Sequence, residues 1–248
     1  MSVWLTIPSK SPNAQDCVDA WRDRGYKVAL FRDSGDSPVD CDLLIEDKYP
    51  GYAVAVNRLI RDVCEADDRA NWFIAAGDDI LPDPHHTPNE IATECEEHFC
   101  RVIDVTILSD QRQRLMQAGA PTLGVMQPTG DPWADAAGRM IERIAGSPWI
   151  GREFAERSYG GRGPYCELYT HCFLDNEIMD VAKMLGIFWQ RPDLTHFHQH
   201  WTRDRRPMPQ YLRDANSQAH WEKYSRIYFD RKRRGFPGHE LLSAEVCA

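Results

Sequence analysis

Four short apolar runs in the first eighty residues, Val3–Ile7, Tyr26–Phe31, Cys41–Ile45 and Trp72–Ala76, constrain this chain more than any other feature. Each is four to eight residues long and ends at a breaker or a polar turn, which is the signature of a buried strand rather than a helix. Pro8 closes the first, Arg32-Asp33-Ser34-Gly35 the second and Gly77-Asp78-Asp79 the fourth. Between them lie a helix expected over about 13 to 24 and another from Tyr52 to Cys64, where Ala53, Val56, Leu59, Ile60 and Val63 fall on one face. Strands alternating with helices predict an α/β fold with a mostly parallel sheet and helices on both faces, whose ligands bind beyond the carboxyl ends of the strands.

The pattern continues with a helix over 88 to 100, a strand near 101 to 107, a strand near 123 to 127, a helix over 175 to 186 and a strand over 187 to 189. From 129 to 165, glycines and prolines alternate with Trp133, Trp149 and Tyr159, which reads as long loops over a cleft. A polar, helical tail is expected over 208 to 234. The organisation is thus a domain over 1–200 followed by a basic, aromatic-rich helical extension over 201–248.

Composition narrows the class. The chain has 248 residues and a formal charge of −9, with apolar residues at 42% and charged residues at 27%, ordinary globular usage that excludes a disordered chain. It contains no run of about 20 apolar residues and no export leader at MSVWLTIPSK, which predicts no membrane span and a cytoplasmic location. Its eight cysteines are scattered without a CxxC pair, so reduced thiols are expected. Cys95, His98 and Cys100 sit on one predicted helix at spacings that do not converge on a zinc ion.

Asp78-Asp79 emerges from an uncharged strand, a position suited to a divalent cation held by carboxylates and substrate phosphates; an Asp pair there also serves to cap a turn. His196, His198 and His200 alternate and share one face if the run is extended; one completes a metal shell that suits manganese, or all three line the cleft. Asp175 opens a helix whose apolar face is Ile178, Val181, Ala182 and Leu185, as a base or as an N-cap.

Four pieces in order resemble one family. Phe31-Arg-Asp33-Ser-Gly35-Asp-Ser37 resembles a V-D-D-G-S-T-D loop, Gly51-Tyr-Ala-Val-Ala-Val-Asn57 an N-x-G-x-A-x-A-x-N helix, and Gly77-Asp78-Asp79-Ile80 a metal-binding DxD. In the second half, Ile150-Gly-Arg152-Glu153-Phe154 resembles L-I-R-R-E-V-F, Asp175-Asn-Glu177-Ile178 resembles E-D-x-D-L, and Gly186, Pro192 and His198 take the places of a late G, P and H. The chain over residues 3 to 200 therefore resembles the nucleotide-sugar glycosyltransferases of the GT-A fold, above all inverting family 2.

The resemblance implies a GT-A-like sheet, a nucleoside-diphosphate sugar donor and a divalent metal, Mn2+ or Mg2+. It implies donor contacts from Pro8, Ser9, Asp33, Gly51, Asn57 and Asp78, metal ligation by Asp79 and His198, and Asp175 as catalytic base. It also implies acceptor-side roles for Asp131, Trp133, Trp149 and Arg152. The chain departs from the pattern at Leu174, which replaces the first acid of the E-D pair, at Pro8-Ser9-Lys10 and at Arg32.

Residues 201 to 237 hold ten basic and four acidic side chains, a local +6 that leaves −15 elsewhere, with Trp201, Tyr211, Trp221, Tyr224, Tyr228 and Phe229 interleaved. That texture suits a polyanion, and with the compact size it resembles small phage enzymes that decorate hydroxylated bases in DNA. A tail that packs its aromatics on the domain and leaves its charges in water is the alternative. At the level of function, the alternatives are a catalytically inactive nucleotide-sugar or nucleic-acid binding module, a transferase acting on a glycan or lipid-linked acceptor, and a metal-dependent nucleotidyltransferase.

Overall fold

A computed structural model describes residues 1–105, 121–131, 145–201, 203, 207–208, 210–215 and 217–242. Strand β1 (Ser2–Pro8) is buried at each of its five central positions, so both faces of the sheet are covered there. Helix α1 (Ala14–Arg22) buries Ala14, Cys17, Val18 and Trp21, and α2 (Tyr52–Ala66) buries Ala53, Val56, Leu59, Ile60 and Val63 as its periodicity predicts. Between and after them run β2 (Lys27–Arg32), β3 (Leu43–Glu46), β4 (Ala70–Ala75) and the two-residue β5 (Ile80–Leu81).

The second half supplies α3 (Pro88–Val105), β6 (Val125–Pro128), β7 (Trp149–Gly151), α4 (Arg152–Arg157), α5 (Leu174–Leu185), β8 (Phe188–Arg191) and β9 (Phe197–His198). Helices α6 (Gln210–Ala215) and α7 (Gln218–Arg233) follow. The sheet has seven strands in the order β3-β2-β1-β4-β7-β6-β8, and β5 pairs separately with β9. Among the described residues of the sheet, only β7 runs against its neighbours, pairing antiparallel with both β4 and β6, so the expected mostly parallel α/β sheet is what forms. The chain moves from β1 outward to β2 and β3, then returns to place β4 on the other side of β1. That reversal opens a crevice between the carboxyl ends of β1 and β4.

Two expectations are corrected, and the reading of Cys95, His98 and Cys100 as diverging agrees with the structure. Residues 101–105 continue α3 instead of starting a strand, since no glycine or proline interrupts the helix between Cys100 and Val105; residues 106 and 107 lie outside the described residues. The stretch from 149 to 157 is strand and helix, and Trp149 is a fully buried residue of the central sheet, paired with Ile74. On α3, Cys95 is buried in the core, Cys100 is exposed and the His98 ring stacks on Trp189 at 3.9 Å, so these side chains diverge. No helix among the described residues is long and apolar enough to cross a membrane.

Candidate active site

The crevice between β1 and β4 is closed at its floor by Ser9, whose hydroxyl donates to the Asp78 carboxylate. Ser9 is itself tied down, its backbone N–H donating to Phe31 at 3.0 Å, so the loops after β1, β2 and β4 meet at one point. Burial raises the Asp78 carboxyl above its ordinary range, and the neighbouring Asp79 charge adds to this.

Asp79 faces the other way. Gly77 makes this possible, because a Cβ there would stand 2.6 Å from Asp79 Oδ1. Asp79 Oδ2 lies 3.1 Å from His198 Nε2, and the backbone of β5 and β9 holds the two together through the Ile80–His198 pair and a 2.7 Å bond from Gln199 N–H to the Asp79 carbonyl. Burial alone pushes Asp79 up, but the hydrogen bond and charge of His198 outweigh it and hold the carboxyl below its usual range. The side chains remain partly open, at 36% for Asp79 and 23% for His198.

Among the described residues no three His, Cys, Asp or Glu side chains form a preassembled metal cage. One carboxylate and one imidazole on a rigid two-strand corner nevertheless fit a cation that takes its remaining ligands from substrate phosphates. His200 stands beside them, its ring 5.0 Å from that of His198. His196 does not join the group. It is buried, with Trp149 Nε1 at 3.3 Å from Nε2 and Ser147 Oγ at 3.0 Å from Nδ1, and burial lowers it to about 4, so it is a neutral core imidazole. The expectation that all three histidines share one face fails because β9 is only two residues long.

Asp175 is the second residue of α5; the N-cap position is taken by Phe173 in a left-handed conformation, so capping does not account for Asp175. Its carboxyl is raised to about 6 by burial. Tyr52 connects it to Asp79: both carboxylates act on this phenol, which burial raises first, and the hydroxyl donates to the Ala76 carbonyl at 3.2 Å. Tyr52, a residue the sequence motifs passed over as the mere start of α2, thus feels the charge of both acids. Gly51 supports the arrangement with φ 105° and a would-be Cβ only 3.1 Å from Thr170.

On the other side of Ser9, Asp33 accepts from Tyr49 N–H at 2.5 Å and pairs with Lys10, which sits 5.6 Å above the Tyr49 ring. Lys10 holds the Asp33 carboxyl below its ordinary range. Pro8 ends β1 opposite Phe31. Lys10 and Tyr49 escaped the sequence reading, the first because it only broke a motif and the second because it lay between elements.

Other expected site residues serve elsewhere. Asn57 is fully buried and its amide is spent on the backbone of Tyr165, donating at 2.9 Å and accepting at 3.1 Å, so it is not open to a donor. The Arg152 guanidinium lies 3.3 Å from the carbonyls of Cys64, Asp67, Asp68 and Ala70. That is the amino end of β4, opposite the crevice, because β7 runs backwards and delivers Arg152 there. Trp149, as above, is core. Asp131 is near the site but its Oδ2 accepts from His198 N–H at 2.9 Å and from Arg203 at 2.5 Å, which makes it a support for β9. Trp133 lies outside the described residues.

No protein-family model matches the chain, and no curated protein does. Among solved structures it is similar to the catalytic domain of Drosophila β1,4-galactosyltransferase 7 in complex with xylobiose, at 12% identity over 84% of this chain and 75% of the other, with a TM-score of 0.44. A mutant of that Drosophila enzyme with manganese, UDP-Gal and xylobiose gives 10% identity over 85% and 76% of the two chains and a TM-score of 0.39. A glycosyltransferase involved in glycosylation of the major capsid of PBCV-1 gives 12% identity over 61% and 60%, with a TM-score of 0.32.

Proposed function

We propose that this chain is a metal-dependent glycosyltransferase that moves a sugar from a nucleoside-diphosphate sugar to an acceptor hydroxyl. The observation that carries the reading is a pair of carboxyls of opposite character whose charges act on one phenol, that of Tyr52. Asp79 is kept ionised beside His198, while Asp175 is raised to about 6 across Tyr52. A site with one permanently charged acid and one near the operating pH divides naturally into a cation holder and a general base.

In this reading Ser9, Asp33, Lys10 and Tyr49 hold the nucleoside at the β1–β2 side. Asp79 and His198 hold Mn2+ or Mg2+, which when bound supplies Lewis-acid neutralisation of the departing diphosphate. Asp175 takes the proton of the acceptor hydroxyl as it attacks the anomeric carbon; the carbon–oxygen bond to the diphosphate breaks as the new glycosidic bond forms. A single base on the acceptor side favours direct displacement and so inversion.

For the acceptor, a hydroxylated base in DNA, as in a small phage-type enzyme, rests on the basic tail. Among the described residues, Arg203, Arg226, Arg231, Lys232, Arg233 and Arg234, at least six of its ten cations, have carboxylate partners within the chain. We therefore rank a neutral hydroxyl on a glycan or similar acceptor first and DNA second.

The deciding experiment is transfer or donor hydrolysis across a panel of nucleoside-diphosphate sugars with manganese, for the natural chain and for Asp79→Asn. Turnover with one donor, lost in the variant at saturating manganese, is the expected result. Binding of donors without turnover would instead mark an inactive binding module, and release of sugar 1-phosphate in place of the nucleoside diphosphate would mark a nucleotidyltransferase.

A further inference from the structure

The C-terminal helix α7 is joined to the loop that delivers Asp175 by a series of contacts that motif reading did not register. Phe173, two residues before Asp175, has φ 70° and ψ −3°, a left-handed conformation that a side chain with a bulky Cβ substituent holds only when its surroundings enforce it. Its ring is enclosed by two residues of α7, Trp221 at 4.6 Å and Tyr228 at 5.3 Å. One turn away, Thr170 Oγ1 and Tyr224 Oη are 2.5 Å apart. The same Thr170 accepts from Tyr52 N–H at 2.8 Å, so this loop is gripped by α2 on one side and α7 on the other.

Beyond Asp175 the contacts continue. Arg231 donates to both oxygens of buried Glu177, at 2.9 Å from Nε to Oε2 and 2.8 Å from Nη2 to Oε1, and Tyr228 and Lys232 both reach Asp180. Successive turns of α7 therefore hold positions 170, 173, 177 and 180, on either side of 175. The donor-side residues Ser9, Asp33, Asp78, Asp79 and His198 take their bonds from the loops after β1, β2, β3 and β4 and from β9.

Resting on the transferase reading above, we propose that α7 is a positioning clamp for Asp175, with Trp221 and Tyr224 as the residues that set the Phe173 turn and hence the direction of the base. In this role the extension acts on the acceptor half of the reaction and leaves donor binding alone. The groups whose charge is felt together with Asp175 are Tyr52 on α2, Tyr165 and Cys172. None of them belongs to α7.

The test uses the full chain carrying Trp221→Ala, Tyr224→Phe or both, with Trp221→Phe as the conservative rescue. Trp221 is 53% exposed and Tyr224→Phe removes one hydroxyl, so these variants are expected to fold. Phe229→Ala, on the same helix and 58% exposed, is the control. The double variant should lose roughly 30- to 100-fold in kcat, the scale of a misaimed reacting group, with the donor KM within about twofold. The acidic limb of its kcat/KM profile should move below about 6 as water reaches the carboxyl, and Trp221→Phe should recover most of the rate. A folded double variant with natural kcat and an unmoved limb, or an equal loss from Phe229→Ala, overturns the proposal.

If the natural chain turns over no donor, the transferase reading fails separately. The carbon-13 titration of the Asp175 carboxyl then decides the clamp: a downward shift in the double variant supports it, and an unchanged titration overturns it.

Discussion

A carboxyl raised to about 6 is costly to ionise, and Asp175 is in this position because burial opposes its charge. Its folded pKa lies above the value of about 3.9 for an unfolded aspartate, so the protonated form is the one that folding favours. The stability it contributes is complete below about pH 4 and is lost as pH rises through about 6. Asp175→Asn should therefore raise the unfolding free energy near pH 8 by about 1–2 kcal/mol, discounted for partial solvent access, and the gain should vanish below about pH 4. The same substitution should cut kcat by about 10²–10⁴-fold with little change in donor KM. Denaturant unfolding at the two pH values, alongside steady-state kinetics, checks both halves. A loss of stability at pH 8 together with natural turnover would return Asp175 to a purely structural role. For the natural chain, kcat/KM should fall as pH drops through about 6, because the base must be ionised to accept a proton.

At the scale of elements, the β5–β9 pair carries the cation-holding residues, and its rigidity comes from a neighbour. Asp131 accepts from the His198 backbone and binds Arg203, so removing its charge releases β9 while the Asp79 and His198 side chains are left as they are. Asp131→Asn should raise the Mn2+ concentration for half-maximal turnover by about 10-fold, as outer supports of a metal site do, while turnover at saturating Mn2+ stays within a few-fold. A metal titration of the rate measures this, and an unchanged midpoint would detach Asp131 from the site.

Elements differ in how legible they were from sequence. Strands β1, β2 and β4 announced themselves because uninterrupted apolar runs end at Pro8, Asp33 and Gly77, and those ends are where the site forms. Reversed β7 was hidden, because Trp149-Ile150-Gly151 is too short to show a period and sits among glycines and prolines. That single reversal displaced both Trp149 and Arg152 from their expected roles. The packing of the α7 aromatics was one of the two readings of the tail; what stayed hidden is that Arg231 and Lys232 bind Glu177 and Asp180 instead of keeping their charges in water.

For the whole molecule, the question is whether a charge of −9 with a +6 tail can bind a polyanion. Lys/Arg contacts to duplex phosphates release counterions, and log affinity then falls with log salt at about −0.9 per neutralised phosphate. If all ten tail cations acted, the slope would approach about −9. The fold ties Arg203, Arg231 and Lys232 to carboxylates on other elements, Asp131, Glu177 and Asp180, and the first two of these bonds also support β9 and the Asp175 clamp. Arg226, Arg233 and Arg234 face Glu222 or Asp230 on their own helix. Releasing the first group for DNA would loosen the site that the DNA is supposed to reach, and the remaining −15 repels a duplex over the rest of the surface. Binding of a plain duplex oligonucleotide across a salt series should therefore be weak, with a slope well short of about −9, because at least six of the ten cations have a carboxylate partner among the described residues. Hydroxymethylated bases should add nothing to it. A slope beyond about −6, or a clear preference for the hydroxylated duplex, would show that the tail exchanges its internal pairs for phosphates and would move DNA to first place among acceptors.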